Sequence, residues 1–101
     1  MKPKRPMPSH LALLDLATAF GEIIKSERVR RGLSQAQVAK QLGIARNNYA
    51  RSERGNHTPS LETLVRIADI YGIAPSRLLD QIIRRAVQRA SSDELVEPES
   101  S

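Results

Sequence analysis

Residues 34–55 read SQAQVAKQLGIARNNYARSERG, from Ser34 to Gly55. Ser34 and Gln37 stand three apart, the spacing of a capping box, in which each side chain satisfies a backbone amide of the first turn. Val38, Ala39 and Leu42 then recur at helical steps and form one buried face. Gly43 ends that helix, because glycine accepts the positive φ of a helix stop at no steric cost. A second short helix is predicted from about Arg46 to Arg54, stopping at Gly55. Only Gly43-Ile44-Ala45 separates the two. Such a turn is too short for the helices to lie antiparallel, so they cross steeply, as in a helix-turn-helix. Small Ala39 permits close approach, and Val38, Leu42, Ile44 and Tyr49 are the candidates for burial against neighbouring helices.

The flanks are helical as well. Upstream, Leu13, Leu16, Ala17, Phe20 and Ile24 recur at three- and four-residue steps in a helix ending near Arg31, with Gly32 as its stop. Downstream, Asn56-His57-Thr58-Pro59 is a loop. Ser60 caps a fourth helix, with Leu61, Leu64, Ile67, Ala68 and Tyr71 facing inward and Gly72 closing it. Ala74-Pro75 opens a fifth, since proline fits the first helical position. Leu78, Leu79, Ile82, Ile83, Ala86 and Val87 follow. No stretch alternates long enough to read as a strand. The expected fold is all-α: a compact bundle of about five helices around the helix-turn-helix, spanning residues 10–90. Residues 1–9, with three prolines and three cations, read as a flexible basic arm. Residues 91–101, SSDELVEPESS, read as an acidic disordered tail.

Charge points to a polyanionic partner. The 101 residues carry 16 Lys and Arg against 11 Asp and Glu, a formal net charge of +5. Eight of the cations fall between Glu22 and Arg54 against three carboxylates, so the basic excess peaks around the helix-turn-helix. Cysteine is absent, which excludes disulfides, thiolate zinc sites and thiol nucleophiles. Two histidines without ligand spacing give no metal site, no Ser/His/Asp set is credible, and no cofactor is expected. Aromatics at 3% argue against stacking on single strands. No apolar run is long enough to span a bilayer and the N-terminus lacks a signal peptide's cleavage site, so the chain reads as cytoplasmic and not membrane-bound.

The outer face of the third helix carries Arg46, Asn47, Asn48, Ala50, Arg51 and Arg54. Arg presents a donor fork that matches guanine O6 and N7, and Asn both donates to and accepts from adenine. A short helix so furnished can enter a major groove of double-stranded DNA.

These residues, with Phe20-Gly21-Glu22, Ile24, Arg28, Gly32-Leu33-Ser34-Gln35, Val38-Ala39, Leu42-Gly43-Ile44, Glu53-Arg54-Gly55, Pro59 to Leu64, Ala68, Gly72 and Leu78-Leu79, fall in one register. That register resembles the phage-repressor, or XRE-type (Cro/repressor-like), helix-turn-helix family over roughly Phe20 to Leu79. The resemblance implies a lambda-repressor-like DNA-binding domain and no enzymatic activity. It implies base reading by Arg46, Asn47 and Arg51, with Asn48 beside them on the same helix. It further implies phosphate contacts from Gln35, Arg54 and the loop at Asn56, and a structural ion pair between Arg28 and Glu53. Two positions depart from the family pattern: Ala45 stands where a capping Ser or Thr is usual, and Ser52 where a large apolar residue is usual.

The fifth helix bears more apolar residues than one neighbour covers. Leu79, Ile82, Ile83 and Val87 are therefore the expected homodimer interface, set against their own copies across a two-fold axis. Leu11, Leu14 and Ile23 form a second apolar patch, and the two patches covering each other within one chain is the competing arrangement. The favoured function is a sequence-specific homodimeric transcriptional regulator, a repressor of a palindromic operator. One alternative is the DNA-binding antitoxin of a toxin–antitoxin pair, with the tail binding a protein partner. A remote one is a basic peripheral membrane protein, which requires cations and bulky apolars on opposite faces of one exposed helix.

Overall fold

The computed structural model describes residues 14–96. Among them are five helices and no strand: α1 (Leu16–Arg30), α2 (Gln35–Leu42), α3 (Arg46–Glu53), α4 (Leu61–Tyr71) and α5 (Pro75–Val96). The all-α bundle expected from periodicity is present. The basic arm at residues 1–9, Leu11 and Leu13 lie outside the described residues.

Local chemistry sets the helix ends. Asp15, a cap that the periodicity did not reveal, accepts from the Thr18 amide at 3.0 Å and starts α1. The Ser34–Gln37 capping box is complete: Gln37 N donates to Ser34 Oγ at 3.0 Å, and Ser34 N to Gln37 Oε1 at 2.7 Å. Gly43, at φ +76°, turns the chain out of α2 and into α3. Ser60 caps α4 through the Thr63 amide. Ala45 offers no side-chain cap to α3, which begins on the backbone alone.

The core gathers Phe20 and Ile24 from α1, Val38 and Leu42 from α2, Tyr49 from α3, Ile67 from α4 and Leu78 from α5. Three apolar residues expected inside are not. Leu16, in the first turn of α1, is 37% exposed, Ile44 in the α2–α3 turn 40%, and Leu61 at the start of α4 78%. Each sits at a helix end or in a turn, where no neighbouring helix among the described residues closes over it. Conversely Ala50 and Ser52 of α3 are buried. Ala50 therefore leaves the outward face assigned to it, and a small serine occupies a packed position.

At Gly21 the approach of two helices is backbone on backbone. A Cβ placed on Gly21 of α1 would lie 2.5 Å from the Glu53 carbonyl oxygen and 2.7 Å from that of Ser52. The absence of a side chain at Gly21 lets α1 rest directly on the last turn of α3.

On α5 two apolar lines run side by side. Leu78, Ile82 and Ala86, four apart, face the core. Leu79, Ile83 and Val87, also four apart, do not; Leu79 and Val87 are 41% and 43% exposed. Ile82, at 3% exposure, is thus a core residue and not an interface residue. The helix also runs on through Ser91 to Val96, so the tail expected to be disordered from Ser91 is helical over its first six residues. Residues 97–101 lie outside the described residues. Of the second apolar patch, Leu14 and Ile23 pack against the core within the chain.

Gly21→Ala tests the α1–α3 approach. Alanine is the better helix former by about 1 kcal/mol, so an unconstrained site would gain stability. Against two backbone carbonyls the substitution is expected instead to lose about 1–3 kcal/mol by overpacking. Urea denaturation of both proteins decides the sign.

Candidate nucleic-acid interface

α3 presents its polar side outward because its apolar side is fully engaged. Tyr49 is completely buried, and its hydroxyl pairs with that of Tyr71 on α4 at 2.9 Å. Burial pushes both phenols above their ordinary values, so the pair stays neutral. With Tyr49, Ala50 and Ser52 inside, Asn47, Arg51 and Arg54 share one solvent-facing stripe by helical spacing, and Arg46 and Asn48 flank it. All five are exposed.

The one carboxylate of α3 is turned away from this stripe. Glu53 is nearly buried, with its side chain 3% exposed. Arg28 Nε donates to Glu53 Oε2 at 2.6 Å and Arg28 Nη2 to Oε1 at 3.0 Å, a bidentate fork. Arg28 Nη1 donates to the Leu33 carbonyl at 2.9 Å. The ion pair implied by the resemblance is therefore present. It has a third member: Gln35 Nε2 donates to Glu53 Oε1 at 2.9 Å. Gln35 is thus positioned by Glu53 at the start of α2, where its phosphate role was expected. Burial pushes the Glu53 carboxyl upward, but the hydrogen bonds from Arg28 and Gln35 outweigh it and hold the group below the ordinary carboxylate range.

The loop after α3 is held equally closely. Gly55 has φ +78°, and its Cα faces α1 so tightly that a Cβ would lie 3.0 Å from Thr18 Cα. Asn56 N donates to the Arg51 carbonyl at 3.3 Å. Arg54 and Asn56 consequently emerge as neighbours at the end of α3, both exposed.

Three polar features escaped the reading of the sequence. Tyr49–Tyr71 is one. Glu27 is another: only 3% exposed, it accepts from Arg31 Nη1 and faces Gln81 Nε2 of α5 at 3.4 Å. Its spacing of four from Arg31 was the available signal. The third is Glu22, which accepts from Arg85 at 2.7 Å and Arg89 at 2.8 Å across α1 and α5. Among the described residues no group of acidic and histidine side chains is arranged to hold a metal. None of the helices is long and apolar enough to cross a membrane.

Two short helices packed together, a three-residue turn and an outward, carboxylate-free face define a helix-turn-helix domain. The helix-turn-helix family model matches residues 24–78, more than half of the chain, and the protein belongs to that family. Among curated relatives, the chain is 37% identical over 60 residues to the cryptic phage CTXphi transcriptional repressor RstR of Vibrio cholerae, covering 59% of this chain and 54% of that one. It is 40% identical over 60 residues to the SPbeta prophage-derived uncharacterized HTH-type transcriptional regulator YonR of Bacillus subtilis, covering 59% and 56%. The chain spans about half the length of these relatives. Among solved structures, the clp gene regulator ClgR from Corynebacterium glutamicum superposes with a TM-score of 0.74 at 21% identity, over 79% of this chain and 85% of that one, a likeness of fold.

The Glu53 network sets a pH dependence. A carboxyl held low in the folded state contributes stability that is complete above its unfolded value, near 4.5, and is lost as pH falls through the folded value. Removing one partner of the pair strands the other, so Glu53→Gln is expected to cost about 3–5 kcal/mol at neutral pH. The gap between wild type and variant should narrow below pH 4.5. Thermal melts from pH 7 to pH 3 read this directly, and a gap that does not change with pH contradicts it.

Proposed function

We propose that the protein is a sequence-specific regulator of transcription that binds double-stranded DNA as a homodimer and represses a palindromic operator. The observation that carries this reading is the outward stripe of α3, where Asn47, Arg51 and Arg54 stand exposed while the helix's only carboxylate is turned inward onto Arg28. Entering a major groove, Arg46, Asn47, Asn48 and Arg51 read base edges, whereas Gln35, Arg54 and Asn56 hold phosphates on either side. The repressor role comes from the CTXphi relative, whose name states it. Such a protein works in the cytoplasm, where the chromosome lies, and needs no cofactor or catalytic group.

Dimerisation rests on α5. With Ile82 assigned to the core, the interface is the outer line of Leu79, Ile83 and Val87, and a two-fold axis sets each line against its copy. Two recognition helices then meet successive major grooves, about 34 Å apart, on one face of the duplex. This reading accounts for an apolar line that helix packing among the described residues does not cover.

Arg51→Ala is expected to weaken binding to the selected operator by about 1–3 kcal/mol while leaving random duplex almost unaffected. Titration of both DNAs by fluorescence anisotropy measures it, and equal losses on the two would remove Arg51 from base reading. Ile83→Asp is expected to give a folded monomer that has lost its palindromic preference. Sedimentation equilibrium checks the mass, and a variant that stays dimeric places the interface elsewhere.

A further inference from the structure

The antiparallel course of α1 and α5, seen in the pairing of Glu22 with Arg85 and Arg89 and of Glu27 with Gln81, sets the last turn of α1 beside the first turn of α5. Between them, closed by Gly72 and Ile73 at the end of α4, lies an open cavity of about 270 Å³. Its wall brings together Arg30 and Arg31 of α1 with Arg77 and Gln81 of α5, around Glu27.

The charges there do not balance. Three guanidiniums face one carboxylate, and Glu27 is already committed to Arg31 and lies 3.4 Å from Arg30. Arg31 is further held with its guanidinium 5.2 Å from the centre of the Tyr71 ring. Arg30 keeps 66% of its side chain exposed, and the Arg77 side chain has no ion-pair or hydrogen-bond partner among the described residues. The helix dipoles account for part of this. Arg30 and Arg31 close α1, whose carboxyl end favours cations. Arg77 stands in the first turn of α5, where the positive helix end disfavours a cation and no acidic residue compensates. Ala74 supplies no side-chain acceptor before that helix. A local rule broken without compensation marks a functional site.

We infer that this cavity is a binding site for a small anion bearing two or more phosphoryl groups. The guanidinium forks match phosphoryl oxygens. At about 270 Å³ the space lies at the small end of ligand pockets and excludes bulky ligands. The phosphates are assigned to a free ligand because Arg77 and Gln81 belong to α5, whose main packing partners are α1 and α4 rather than the helix-turn-helix pair α2 and α3. The site stands independently of the DNA-binding reading.

The probe is inorganic triphosphate, titrated into the full chain by calorimetry at constant ionic strength without DNA. Saturable binding of one anion per chain is expected. Arg77→Ala and Arg30→Ala should each weaken it by about tenfold or more, as loss of a charge-assisted fork requires. Arg77→Lys, which keeps the charge but not the fork, should fall between. Arg51→Ala, on the α3 stripe, should leave triphosphate binding unchanged. Absence of saturable binding overturns the site, as does an equal loss in Arg51→Ala. If Arg77→Ala leaves triphosphate binding intact but flattens the salt dependence of duplex binding, the phosphates are those of DNA and the free-ligand assignment is overturned.

Discussion

The Glu53 carboxylate belongs to α3, yet its hydrogen bonds come from α1 through Arg28 and from α2 through Gln35. Arg28 also takes the Leu33 carbonyl, in the link between those two helices. One nearly buried group therefore sets the orientation of the two helix-turn-helix elements, α2 and α3, against each other and against α1. A buried ion pair is seldom a large net source of stability, because desolvation cancels much of the attraction. What this one supplies is geometry: a bidentate fork tolerates little rotation of either helix. Gly21 is its steric counterpart, since only a residue without Cβ lets α1 lie against the Ser52 and Glu53 carbonyls.

Charge segregation follows from that arrangement. Glu53 faces inward, Glu27 is buried beside Arg31, and Glu22 is occupied by Arg85 and Arg89. The carboxylates of α1 and α3 are thus taken up within the bundle while the α3 cations stay exposed. The Glu22 pairs are partly solvated and contribute little to stability. The position of α5 is set mainly by Leu78, Ile82 and Ala86 in the core. That leaves the adjacent line of Leu79, Ile83 and Val87 outside the core and sets Arg77 beside the cavity at the helix start.

Much of the candidate site was legible because its signals are local. Ser34 with Gln37, the helix-ending Gly43 and Gly55, and the register of Asn47, Arg51 and Arg54 each depend on a few consecutive residues. The Arg28–Glu53 pair is 25 residues apart in the chain, and only the resemblance of the whole register exposed it. Tyr49–Tyr71, Glu27–Gln81 and the approach of Arg77 to Arg30 and Arg31 carry no comparable register, so nothing in the linear chain marked them as neighbours.

The sequence by itself determined the helices, the Ser34 and Ser60 caps and the short α2–α3 turn, since backbone hydrogen bonding and glycine stereochemistry act over one or two turns. Which side of each helix is buried was decided only in the tertiary structure. Ile82 and Ile83 are equally apolar and adjacent, and periodicity ranks them alike; the placement of α1 and α4 against α5 puts one in the core and leaves the other outside it. Leu16 and Leu61 carry the same apolar side chain as Leu78, yet they stay exposed because no helix among the described residues lies over the ends they occupy. Burial depends on a neighbour's position, and a neighbour distant in sequence leaves no trace in local periodicity.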